Sequence, residues 1–313
     1  MDLESQSRQH DTERQHDTEL DAQGDTPIHP IFRFLIAAAL TWAANWAIGN
    51  LCFRLFGGHL LLADALYRVL TAALLIALYS LMLGLLDHRP GDHLAGQGLP
   101  WKRFARRQFL TGLAWGIMAI GIGVACTALA GDYKAEFRLT AHTLWLSVEV
   151  LVLLFGGALL EEVMFRGYPF QRLVEAVGPV WAVAVVSALF GAAHLGNPNA
   201  RGVLSWAFFN TIAIGVLLAF GYLRSRSLWL PLGIHFGWNF ALGFMFGLPV
   251  SGMSEFAVVV RGSTSGRPWL TGGAYGVENS ALAAVLLLLS FPVVFWAGSR
   301  FRTPDEAVPP RHA

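Results

Sequence analysis

The sequence is dominated by apolar runs of a length that crosses a lipid bilayer. An α-helix needs roughly 20 such residues to span about 30 Å of hydrocarbon. The runs fall at about 31–55, 67–87, 109–130, from 143 onward, 179–196, 203–223, 228–247 and 280–299. Inside lipid, backbone polar groups must be satisfied within the chain, which restricts spanning structures to helices and closed barrels. Runs this long predict an all-α, polytopic membrane protein with about eight transmembrane helices. Composition agrees, since 55% of the 313 residues are hydrophobic and 14% charged, too apolar for a soluble domain. A net charge of +1 gives no electrostatic case for a nucleic-acid partner. Cys52 and Cys126 lie in apolar runs and read as small core residues, not as a disulfide or a metal pair. Nothing in the sequence signals an oligomeric state.

Residues 1–29 are polar and lack an apolar h-region, which argues against a signal peptide. They repeat Arg-Gln-His-Asp-Thr-Glu at Arg8–Glu13 and Arg14–Glu19, and read as a disordered tail. Residues 30–302 form the membrane domain. Residues 303–313, with three prolines, read as a second disordered tail.

Eight spans place both termini on one side. The segments on that side hold 15 basic residues against seven on the other. The excess predicts cytoplasmic N- and C-termini in a cell (inner) membrane, with the cluster Lys102, Arg103, Arg106 and Arg107 as an anchor at the lipid headgroups. The Gly- and Ser-rich stretch 248–279 reads as a mobile loop on the opposite side.

Three clusters interrupt the apolar runs. The first is Glu161, Glu162 and Arg166, near the end of the fourth run. Ionisable groups at membrane depth are costly and mark function by default. Glu162 and Arg166 are i,i+4 neighbours and can pair, while Glu161 is turned about 100° away. Glu149 lies about 18 Å further along the helix and reads as a polar packing group. The second cluster is Phe190-Gly-Ala-Ala-His194, with Phe190 and His194 on one face. The third is His235-Phe-Gly-Trp-Asn239, again at i,i+4.

Gly178-Pro179 is the turn signal between the fourth and fifth runs. Glu161 lies 17 residues before Gly178 and His194 lies 16 after it. An antiparallel hairpin therefore sets them side by side, about 24 Å from the turn, with a kink expected at Gly167 and Pro169. Arg166, Gln171, Arg172 and Glu175 would then lie near the cytosolic headgroups. His235 and Asn239 fall about 10–16 Å from the start of their own run. One site, sunk partway into the membrane and reached from the cytosol, meets all three constraints. A carboxylate there can act as a general base toward water, with an imidazole holding the same water. A His and an Asn on the next wall can stabilise an oxyanion. This suits hydrolysis of an amide with no Ser or Cys nucleophile. A rhomboid-like Ser site and a pair of membrane aspartates are both missing from the sequence.

Glu161-Glu162-x-x-x-Arg166, Phe190-x-x-x-His194 and His235-x-x-x-Asn239, in that order on successive apolar segments, resemble the CPBP family of intramembrane proteases, also called Abi. The family includes the type II CAAX prenyl endopeptidases and the bacteriocin-processing or immunity proteins. The resemblance covers about residues 143–245 and implies a catalytic core within 143–247. It implies that Glu161 activates water and His194 shares it. His235 and Asn239 match the oxyanion pair, with Glu162 and Arg166 in support and Phe190 completing the second motif. The expected activity is endopeptidase cleavage of a peptide or membrane-protein substrate. Metal use has two readings. A glutamate-activated water needs no metal, whereas Glu161, His194 and His235 would furnish three zinc ligands. The lack of a His-Glu-x-x-His pair favours the metal-free form. The alternatives to a protease are a non-catalytic immunity or scaffold protein, and a proton-coupled transporter in which Glu161, His194 and His235 relay protons.

Overall fold

The computed structural model describes residues 28–101 and 103–302. Both predicted tails, apart from Ile28 and His29, and Lys102 of the basic anchor lie outside the described residues. The helices are α1 (Pro30–Phe56), α2 (Leu60–Leu85), the short α3 (His93–Gly96), α4 (Arg103–Leu129), α5 (Ala141–Arg166), α6 (Tyr168–Val177), α7 (Pro179–Ala193), α8 (Trp206–Ser225), α9 (Trp229–Asn239), the short α10 (Pro268–Thr271) and α11 (Ala281–Arg300). All eight expected runs are helical. Among the described residues six helical segments are long and apolar enough to cross a membrane, one of them α5 and α6 taken together. The fifth and seventh runs are shorter. Helix α7 has 15 residues, and α9 runs on into a π-helix at Phe240–Met245. The chain is a multi-pass membrane protein.

Local chemistry fixes the helix ends. Thr140 caps α5 in a reciprocal pair with Thr143, and Ser205 and Ser280 cap α8 and α11, each satisfying an amide that has no partner within its helix. Proline opens α7, where its missing N–H costs nothing. Gly178, the expected turn, sits at φ 79°. The kink also falls where expected, between Arg166 and Tyr168 at Gly167.

Two apolar cores meet along α5. Val150, Leu153 and Leu154 pack with residues of α4, α8, α9 and α11. Leu160 and Val163 pack with α1, α2, α6 and α7. The acidic pair of α5 therefore lies within the second core's stretch, one turn past the seam. Helices α4 and α9 touch backbone to backbone. A Cβ on Gly233 would lie 2.2 Å from the Phe109 carbonyl oxygen, and one on Gly116 would lie 2.5 Å from that of Ile234. Small residues four apart on both helices (Gly112 and Gly116, Gly233 and Gly237) permit this approach, and His235 lies between the second pair.

The stretch 248–279 is structured, contrary to the expectation of a mobile loop. Strand β1 (Tyr133–Phe137) pairs antiparallel with β2 (Val260–Thr264), with Ala135 opposite Gly262. Two 3₁₀ turns follow, at Gly273–Tyr275 and Val277–Asn279. Glu278 ties the segment down, accepting from the Trp238 indole at 3.0 Å and from both the amide and the hydroxyl of Ser251.

Candidate active site

Glu161, His194, His235 and Asn239 line one cavity of about 320 Å³. Phe190 lines it too. Glu162 and Arg166 are fully buried behind it. Helix α5 supplies Glu161, the end of α7 supplies His194, and α9 supplies His235 and Asn239.

The buried pair organises the cavity wall. Arg166 donates to Glu162 at 3.3 Å and to the carbonyl of Gly215 on α8 at 3.1 Å. The same Glu162 oxygen lies 2.8 Å from His235 Nδ1. A carboxylate cannot donate when ionised, so this contact places a proton on Nδ1 and points Nε2 into the cavity. There Nε2 lies 3.6 Å from Glu161 Oε2. That oxygen is buried and has no hydrogen-bond partner within the protein, as does Glu162 Oε2. Buried acceptors of this kind are rare and call for a partner. Asn239, one turn beyond His235, ends α9 where the π-helix begins, a local unwinding often found at functional sites.

His194 is oriented by its own helix. Its Nδ1 lies 2.8 Å from the Phe190 carbonyl oxygen, which can only accept. The proton therefore sits on Nδ1, and Nε2 keeps a lone pair. The Phe190 ring packs 4.6 Å from the His194 ring and 6.2 Å from that of His235, centroid to centroid. It also lies 4.5 Å from the Arg166 guanidinium carbon. One aromatic side chain thus spaces both imidazoles and covers the buried cation.

Residues 143–241 match the family described as type II CAAX prenyl endopeptidase Rce1-like. The matched segment is about a third of the chain and is similar to that family. The match contains all seven residues of the three motifs. A protein of Bacillus subtilis (strain 168), named Uncharacterized protein YyaK, is 28% identical over 107 residues, which is 33% of this chain and 35% of that protein. The alignment thus spans about a third of the relative's length. No solved structure matches the chain.

Other contacts go beyond what spacing suggests. Arg166 is wholly buried on Glu162. Asp87 takes Arg33 and, at 2.9 Å, Arg172. His235 stands between the two carboxylates as well as beside Asn239. The cavity also lies on the other side from the one expected. Asn197, Val250, Ser251, Met253, Phe256 and Glu278 line it, and all belong to the connections opposite the termini. Helix α7 ends at Ala193, which leaves His194 beside these connections.

Sequence motifs did not single out several residues of the site. Asn45, Tyr67 and Arg68 come from α1 and α2, and Glu278 from the segment before α11. Burial pushes the Glu278 carboxyl above its usual range, against the hydrogen bonds from Ser251 and Trp238 that favour its charged form. For a metal, among the described residues no group of three or more His, Cys, Asp or Glu side chains is gathered to hold one. His235 Nε2 faces Glu161 at 3.6 Å, and its other nitrogen is taken by Glu162.

Proposed function

We propose that the chain is an intramembrane endopeptidase that cleaves a peptide or membrane-protein substrate with a water activated by Glu161 and His194. The carrying observation is the unpartnered Glu161 Oε2 in a cavity shared with His194 Nε2. Both are acceptors. A water donating one hydrogen to each is left with its lone pair directed at a substrate carbonyl. Glu161 takes the proton as the oxygen attacks, then delivers it to the leaving amine. His235 in its imidazolium form, held at Nδ1 by Glu162, and the Asn239 amide donate to the developing oxyanion. No step requires a metal.

The match to the Rce1-like family over residues 143–241 supports hydrolase chemistry in general, and the site residues are our own assignment. The basic-residue bias supports cytoplasmic termini in a cell membrane, which turns the cavity toward the outer side. An impermeant maleimide would then label Ser265→Cys in intact cells and leave Arg103→Cys unlabelled; the reverse pattern would invert the orientation. Activity is tested with the detergent-purified protein and a peptide library, with and without a chelator. Cleavage that survives chelation and vanishes in Glu161→Ala supports the reading. Loss of cleavage on chelation would restore a metal mechanism. Equal cleavage by Glu161→Ala would remove the base.

A further inference from the structure

Arg68 of α2 is the only arginine or lysine among the described residues lining the cavity, and the proposed chemistry does not use it. Its Nε faces both carboxylate oxygens of Asp64, each at 3.1 Å. That contact occupies one edge of the guanidinium and leaves the fork of terminal nitrogens. The side chain is 20% exposed and lines the cavity. Gly157 makes room for it, since a Cβ there would lie 2.9 Å from Arg68 Nη1. Gly157 stands one helical turn before Glu161, about 6 Å along the axis of α5. The terminal nitrogens therefore lie within reach of a group bound next to the proposed base. A guanidinium fork matches a carboxylate with two parallel hydrogen bonds. At about 3.3 Å per extended residue, that carboxylate sits within roughly two residues of the scissile bond.

We propose that Arg68 is a specificity-determining residue that binds a carboxylate of the substrate peptide, either its free C-terminus or an acidic side chain near the cleaved bond. This rests on the protease reading for its register but not for its binding chemistry. If Arg68 served only to neutralise Asp64, its Nε would suffice and peptide affinity would not depend on it.

The test uses purified Glu161→Gln protein, which binds without cleaving. The probe is a labelled octapeptide of Leu, Val and Ala, made as the C-terminal acid, as the C-terminal amide, and as the amide with one internal Glu. Anisotropy should show the acid or the Glu peptide binding about 10- to 100-fold tighter than the plain amide, the range expected for hydrogen bonds to a charged group. Preference for the acid alone identifies the terminus; preference for the Glu peptide identifies a side chain. Adding Arg68→Gln should erase the preference and Arg68→Lys keep part of it. Gly157→Ala, which displaces the fork while keeping its charge, should weaken it and serves if Arg68→Gln fails to fold. Equal binding of all three peptides, no saturable binding by folded protein, or a preference that survives both variants overturns the proposal. Arg68-dependent binding with no cleavage by the parent would remove the protease reading and leave this subsite standing. Cleavage indifferent to the carboxylate would do the opposite.

Discussion

Glu162→Gln is the sharpest perturbation of the buried wall, because it keeps the side chain's shape and removes only its charge. In the parent, Glu162 holds Arg166 at 3.3 Å and His235 at 2.8 Å, and neither Glu162 nor Arg166 touches solvent. The variant leaves the Arg166 charge without its paired anion, though the Gly215 carbonyl and the face of Phe190 remain. Breaking one partner of a buried pair costs about 3–5 kcal/mol. For a chain of this size that is a fall in Tm on the order of 10 °C. Activity should fall further than stability explains. The Gln oxygen can still accept at Nδ1 but lacks the charge that holds His235 as an imidazolium, a loss on the order of 10²- to 10⁴-fold in kcat. The double variant Glu162→Gln/Arg166→Met removes the stranded charge, so it should recover most of the lost Tm and none of the lost kcat. Thermal unfolding in detergent beside peptide cleavage separates the two. A single variant as stable as the parent, or a double variant that regains activity, would refute the reasoning.

Other perturbations follow from the same contacts. Gly233→Ala drives a Cβ to 2.2 Å from the Phe109 carbonyl oxygen. Overpacking of this kind costs about 1–3 kcal/mol and should also weaken cleavage, since it moves His235; an unchanged Tm would count against the α4–α9 contact. Glu278, with a folded pKa above its unfolded one, binds a proton more tightly when the 248–279 segment is folded. Its contribution is therefore greatest at low pH and is lost as pH rises through the folded value. Limited proteolysis of the segment should quicken over that rise in the parent and show a flatter pH response in Glu278→Gln. A steeper response in the variant would reverse the sign.

Much of this arrangement was legible in the sequence, for reasons that differ by residue. Hydropathy locates the eight helices because lipid allows few alternatives. The Gly178 turn sets Glu161 beside His194 because helical rise is constant. The i,i+4 spacing of Glu162 and Arg166 anticipates their pair. Spacing fixes a face of a helix and not what that face meets, so the hold of Glu162 on His235, 73 residues away, was hidden. The same gap hid the side of the membrane. Counting along one hairpin gives depth, but the segment around Ser251 and Glu278 carries no periodic signal to say that it covers the cavity. The close crossing of α4 and α9 did have a signal, in Gly112 and Gly116 and in Gly233 and Gly237, and marks where His235 would be pinned.

The central claim is that Glu161 removes a proton from water. The direct measurement is kcat for Glu161→Gln beside its Tm and its affinity for an uncleaved peptide, all with chelator present. The account predicts a fall in kcat of at least about 10²-fold, with Tm and affinity near the parent's. A variant that turns over within a few fold of the parent, while equally folded and equally bound, would contradict it.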